Sequence, residues 1–114
     1  MEIIDTPERI TVRNGEHTAT LNFVPEENGY FCGDLESSGS ASCMIALFRR
    51  LVSRPVPLWG IVESKNPIQD QIASMYERFG FQRVGSVVID ESGAEKVVPD
   101  LDPPNRTGRI YRLN

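Results

Sequence analysis

The chain has 114 residues and a mass of 12.8 kDa, the size of one compact domain and too short for two ordinary cores. Sixteen acidic against twelve basic residues leave a formal net charge of −4, which argues against a duplex-binding module that works by neutralising phosphates. No apolar stretch approaches the ~20 residues of a membrane-spanning helix, and a normal apolar share sets the composition apart from that of disordered chains.

The first residues, Met1-Glu2-Ile3-Ile4-Asp5, carry neither the basic start nor the apolar run of a secretory signal, so the default expectation is a cytosolic protein. Ile10 to Arg13 alternates as a strand, Asn14-Gly15 is a strong hairpin turn, and His17 to Val24 alternates again. Pro25 to Gly29 makes a second turn, followed by a third strand from Tyr30 to about Leu35. Ser37 to Ser42 is a turn of small residues, after which the apolar period becomes helical. Met44, Leu47, Phe48 and Leu51 form one stripe, Ile45 and Val52 widen it, and Arg49, Arg50 and Arg54 mark a solvated edge before Pro55.

Leu58 to Val62 is nearly continuously apolar, as in the centre of a covered sheet, and strand, helix, strand in that order implies parallel neighbours. The second helix has Asn66 as N-cap, Pro67 at its first position and Asp70 at the positive end of its dipole. Ile68, Ile72, Met75 and Phe79 share one face, and Gly80 ends the helix in a left-handed conformation with Phe81 folding back. A strand from Gln82 to Asp90, a turn at Glu91-Ser92-Gly93, a proline-rich loop from Pro99 to Gly108 and a last strand from Arg109 to Leu113 complete the chain. The fold class is α+β: a mixed, mostly antiparallel sheet with two main helices and a central parallel strand pair. Cys32 and Cys43, in different elements, read as reduced, small apolar residues rather than a disulfide or metal pair. His17 reads as a hairpin residue and Trp59 as core.

The strand-to-helix turn from Leu35 to Ser42 is where a ligand would sit. Gly39 lets the backbone come close, and N–H groups at a helix start attract anions, although such turns also occur without a ligand. With this turn in view, Met75-Tyr76-Glu77-Arg78-Phe79-Gly80-Phe81 resembles the tyrosine-glutamate-x-x-glycine-phenylalanine signature of the Gcn5-related N-acetyltransferase (GNAT) superfamily. Glu36-Ser37-Ser38-Gly39-Ser40-Ala41 is similar to the fourth and sixth positions of that superfamily's pyrophosphate turn, Arg/Gln-x-x-Gly-x-Gly/Ala. The resemblance covers roughly residues 9 to 114.

The resemblance implies one GNAT-like domain over residues 1–114 without the family's usual first strand and first two helices. It implies acetyl-CoA as cofactor, its diphosphate held by backbone N–H groups from Ser38, Gly39, Ser40, Ala41 and Ser42. The pantetheine arm would enter where the strands near Tyr30 to Leu35 and Trp59 to Glu63 splay apart, with Asn66 the nearest match to a cofactor-contacting asparagine. Tyr76 inherits the role of proton donor to the departing thiolate, since a leaving thiolate needs neutralising. Glu36 is a candidate for the base that deprotonates the amine acceptor, beside Asp34 and Glu63. Glu36 also stands where the family carries Arg or Gln, placing a carboxylate next to a diphosphate. The activity implied is acetyl-type transfer to an amine. The alternative is a non-catalytic assembly protein of the same fold, in a phage virion or mobile element, and a third option is an acyl-CoA sensor. The missing helices leave an acceptor side that is open or covered by a partner, which includes a second copy of the chain.

Overall fold

Alternating apolar residues give strands whose core faces can be read residue by residue in the computed structural model, which describes residues 1–26, 29–33 and 35–114. β1 (Glu2–Thr6), β2 (Arg9–Asn14) and β3 (His17–Glu26) form an antiparallel meander that turns at Asn14 to His17. β4 (Gly29–Cys32) pairs antiparallel with the far end of β3, and the two-residue β5 (Glu36–Ser37) pairs with the middle of β3. α1 (Ala41–Leu51) leads to β6 (Leu58–Glu63), and α2 (Gln69–Arg78) leads to β7 (Gln82–Ile89). β8 (Glu95–Val98) and β9 (Arg106–Leu113) follow. The strands run in the order β1-β2-β3-β4-β6-β9-β7-β8, with β5 beside β3. Among the described residues, only the β4–β6 pairing is parallel and the other pairings are antiparallel.

Both helices lie on one face. Ile10 and Val12 of β2 and Ala19, Leu21 and Phe23 of β3 are buried in one cluster with Cys43, Met44, Leu47, Phe48 and Leu51 of α1. Leu58 and Val62 of β6 join it together with Ile72, Met75 and Tyr76 of α2. Phe48 bridges the two helices, its ring 5.0 Å from Tyr76 and 5.5 Å from Phe79. α2 ends as the glycine predicts: Gly80 has φ 92°, Phe81 N–H bonds to the Tyr76 carbonyl at 3.0 Å, and Gly80 N–H to that of Glu77 at 3.1 Å. Burial of the Phe81 ring against Tyr76, at 4.9 Å, locks the reversal.

Pro25, Glu26 and Gly29, expected in a turn, lie in β3 and β4, the third strand ends at Cys32 instead of near Leu35, and four further local expectations change. First, residues 2–6 form a strand, although their sequence has no alternation to announce it. Its anchor is Arg54, which is only 13% exposed and so is not a solvated edge residue. Its guanidinium donates to the Asp5 carboxylate and to the carbonyls of Thr6 and Pro7, and lies 3.9 Å from the centre of the Phe23 ring. Second, β8 pairs with β7 across a turn in which the Asp90 carboxylate accepts bonds from the N–H groups of Ser92 and Ala94 and from the Ser92 hydroxyl. These bonds favour the ionised carboxylate and hold its pKa below the usual value. Third, β9 starts at Arg106 instead of Arg109. Fourth, α2 starts at Gln69 with Ile68 as N-cap, three residues after the asparagine expected to cap it.

Candidate functional site

β4 and β6 run side by side through the pairs Tyr30–Leu58, Phe31–Trp59 and Cys32–Gly60, and then part. The chain leaving β4 continues beside β3: Gly33 N–H bonds to the Asn22 carbonyl at 2.9 Å, and β5 pairs with Ala19 and Thr20. β6 continues to Glu63 with β9 as its neighbour. The result is a fork whose apex is Cys32–Gly60 and whose arms are β5 and the second half of β6. The parallel ladder between β4 and β6 therefore ends at Cys32–Gly60.

Tyr76 sits at that apex. A methyl group placed on Gly60 would lie 2.5 Å from its ring carbons and 2.6 Å from its hydroxyl oxygen, so the phenol rests directly on the backbone of β6. The ring is stacked on Tyr111 at 5.3 Å and edge-on to Phe48 and Phe81, and the residue is completely buried. Burial raises the pKa of Tyr111, whose hydroxyl donates to Glu77 at 3.4 Å. Sequence reading passed over Gly60, although a glycine inside an otherwise apolar strand is a recognised sign of close approach by another group.

The turn before α1 lies on one arm of the fork. Gly39 has φ 91° with open space around its α-carbon, which suits a position where a ligand comes close. Two of the predicted anion-binding N–H groups are already used: Ser38 N–H bonds to the Thr18 carbonyl at 3.0 Å and Gly39 N–H to the Ser37 hydroxyl at 3.0 Å. Ser40 is the N-cap and accepts from Cys43 N–H at 3.4 Å, while its hydroxyl lies 3.1 Å from that of Ser42. Among the described residues, the N–H groups of Ala41 and Ser42, in the first turn of α1, have no hydrogen-bond partner. The Gln71 side chain reaches the Gly39 carbonyl at 3.5 Å, tying α2 to this turn.

Asn66 spans the mouth of the fork. Its amide N–H₂ donates to the Leu35 carbonyl at 3.1 Å, and its side-chain oxygen accepts from Ile68 N–H at 3.0 Å. Asn66 therefore joins the two arms where the sequence had it capping a helix. Glu36, Ser37, Asn66, Pro67 and Ile68 line a cleft of about 450 Å³ there, and the Glu36 carboxylate is exposed at it. Glu63, at the end of β6, is ion-paired with Lys65 at 3.1 Å. Asp34 lies outside the described residues. His17 stands 3.4 Å from the Ser38 hydroxyl, an exposed contact at the hairpin. Trp59 is half-buried on the helix-free face, under the Arg112 guanidinium at 4.4 Å, and so is not part of the helix-side core.

The predicted residues thus fall into three groups around one fork: Tyr76 at the apex, Ser38 to Ser42 on one arm, and Glu36 with Asn66 at the mouth.

No family model matches this chain. Comparison with curated proteins and with solved structures likewise finds no match. What stands is a mixed α+β domain with a mostly antiparallel sheet and two helices, in which no described helix is long and apolar enough to cross a membrane.

Proposed function

We propose that the chain is a small GNAT-like domain that binds an acyl-CoA in the β4–β6 fork and transfers its acyl group to an amine. The observation that carries this reading is the position of the Tyr76 phenol on Gly60, at the apex of a fork that opens beside the start of α1. A tyrosine there is placed to hold the proton that a departing thiolate requires. The residues suit the thioester end better than the diphosphate end. Ala41 and Ser42 have N–H groups available for an anion, but Glu36 sets a carboxylate at the same mouth. Asn66 would have to exchange its bond to Leu35 for one to the ligand, or keep it and define the width of the entry.

A second reading is favoured by the enclosure of the same tyrosine. Tyr76 is fully buried, packed by three aromatic rings, and the Asn66–Leu35 bond closes the fork's mouth. A derivative that keeps this fold for assembly, without transfer, would be built in this way.

Isothermal titration of the full chain with acetyl-CoA separates the two. Binding at or below millimolar concentration, with transfer to an amine that slows in Tyr76→Phe while affinity is retained, supports the transferase. Absence of binding at millimolar acetyl-CoA removes the acyl-CoA reading and leaves assembly.

A further inference from the structure

Leu35 lies just past the apex of the fork, between β4 and β5, and belongs to neither strand. At ~3.3 Å per residue it stands within ~10 Å of the end of the β4–β6 ladder at Cys32. Of the described residues lining the cleft of about 450 Å³ at the mouth, Leu35 alone is fully buried, at 1% exposure. It also belongs to the core cluster that holds Val62, Ile72 and Tyr76. One side of Leu35 therefore meets the cleft and the other meets the core. Its carbonyl accepts from the Asn66 side chain at 3.1 Å, so the connection between β6 and α2 holds it in place.

We propose that Leu35 is a plug and Asn66 its latch: the Leu35 side chain occupies the path from the cleft to Tyr76, and an acyl-CoA reaches the phenol only when Leu35 swings out. This rests on the acyl-CoA reading of the fork and adds its regulation. Two observations favour a plug over an ordinary core residue. The first is that its segment is lightly tethered. β5, which follows Leu35, is only two residues long and pairs with Ala19 and Thr20, and local opening draws on segments with few such bonds. The second is that the arms are paired elsewhere. β6 keeps β9 as its neighbour as far as Glu63, and β5 stays with β3, so Leu35 can leave without breaking a ladder of β6. The Asn66–Leu35 bond is what ties the arms together at this point. A site open in about one molecule in ten binds about tenfold more weakly than the same site held open. Truncating the plug should recover that factor, because shortening its isobutyl group to methyl leaves apolar space that an aliphatic chain can fill.

The test is isothermal titration of acetyl-CoA into the full-length parent and its Leu35→Ala, Leu35→Val and Leu51→Ala variants. Leu51 is fully buried in the same cluster, at the end of α1 away from the fork, so it controls for general loosening of the core. Binding at least about tenfold tighter is expected for Leu35→Ala, with a smaller gain for Leu35→Val and parental affinity for Leu51→Ala. Leu35→Val keeps most of the side chain and decides the matter if Leu35→Ala fails to fold. Parental or weaker affinity in the Leu35 variants overturns the plug and leaves the acyl-CoA reading intact. An equal gain in Leu51→Ala overturns it as well, because a loosened core would then be the cause. Absence of binding by parent and variants alike at millimolar acetyl-CoA overturns both.

Discussion

Replacing Gly60 by alanine should destabilise the protein out of proportion to the one methyl group it adds. The new carbon would lie 2.5 Å from two ring atoms of Tyr76 and 2.6 Å from its hydroxyl oxygen, closer than any stable carbon contact. Gly60 has an ordinary strand conformation, so the backbone itself accepts alanine and the cost comes from the clash. Tyr76 has little room to retreat, with Tyr111 stacked on it at 5.3 Å and Phe48 and Phe81 against its edges at 5.0 and 4.9 Å. Overpacking of this kind costs about 1–3 kcal/mol. In a domain of this size about 2 kcal/mol lowers Tm by roughly 8 °C. Urea and thermal unfolding followed by circular dichroism measure it. The same substitution in a Tyr76→Leu background should cost less, giving a coupling of about 1 kcal/mol or more between the two positions. A Gly60→Ala protein within 0.5 kcal/mol of the parent, or strict additivity with Tyr76→Leu, would show that the phenol does not rest on β6.

Arg54→Ala removes an ion pair to Asp5, two bonds to backbone carbonyls and the contact with Phe23. A loss of about 2 kcal/mol is expected, with hydrogen exchange in residues 2–6 accelerating before the rest of the sheet; uniform acceleration would refute the anchoring role. Burial pushes the thiol of Cys32 up to about 12 from 9.0, so the unfolded chain gives up that proton first. The stability associated with the neutral thiol is complete below pH 9 and falls as pH rises toward 12, and Cys32→Ala should flatten the decline in urea stability above about pH 9. Equal slopes would count against it. Glu36→Arg reverses a charge at the mouth of the fork and should tighten acetyl-CoA binding about tenfold at low salt, an advantage that shrinks as salt is added. Unchanged affinity would place the diphosphate elsewhere.

Much of the fold was legible because periodicity and punctuation agreed. The Asn14-Gly15 turn, the stripe from Met44 to Leu51 and the Gly80-Phe81 stop are local signals, and each fixes its element without help from distant residues. β1 was invisible because its reason for existing lies in Arg54, some fifty residues away. Asn66-Pro67 is a strong cap signal that lost to tertiary structure: the asparagine side chain is engaged with Leu35 across the fork, and the helix begins three residues later. Tyr76 could have been placed in the core from sequence, since it lies four residues after Ile72 and three before Phe79, on the same face of the helix. Its seat on Gly60 could only have been suspected, because a strand glycine announces a close approach without saying by what. The face that carries Trp59 was misjudged for a related reason. A continuous apolar strand looks covered on both sides, but here helices cover one.

The most direct test of the acyl-CoA reading is a titration of ¹⁵N-labelled full-length chain with acetyl-CoA, following backbone amide shifts. Saturable shifts concentrated at Ala41, Ser42, Asn66 and Gly60, around the fork, are the predicted result. No shifts at millimolar acetyl-CoA, or shifts clustered away from the fork, would contradict it.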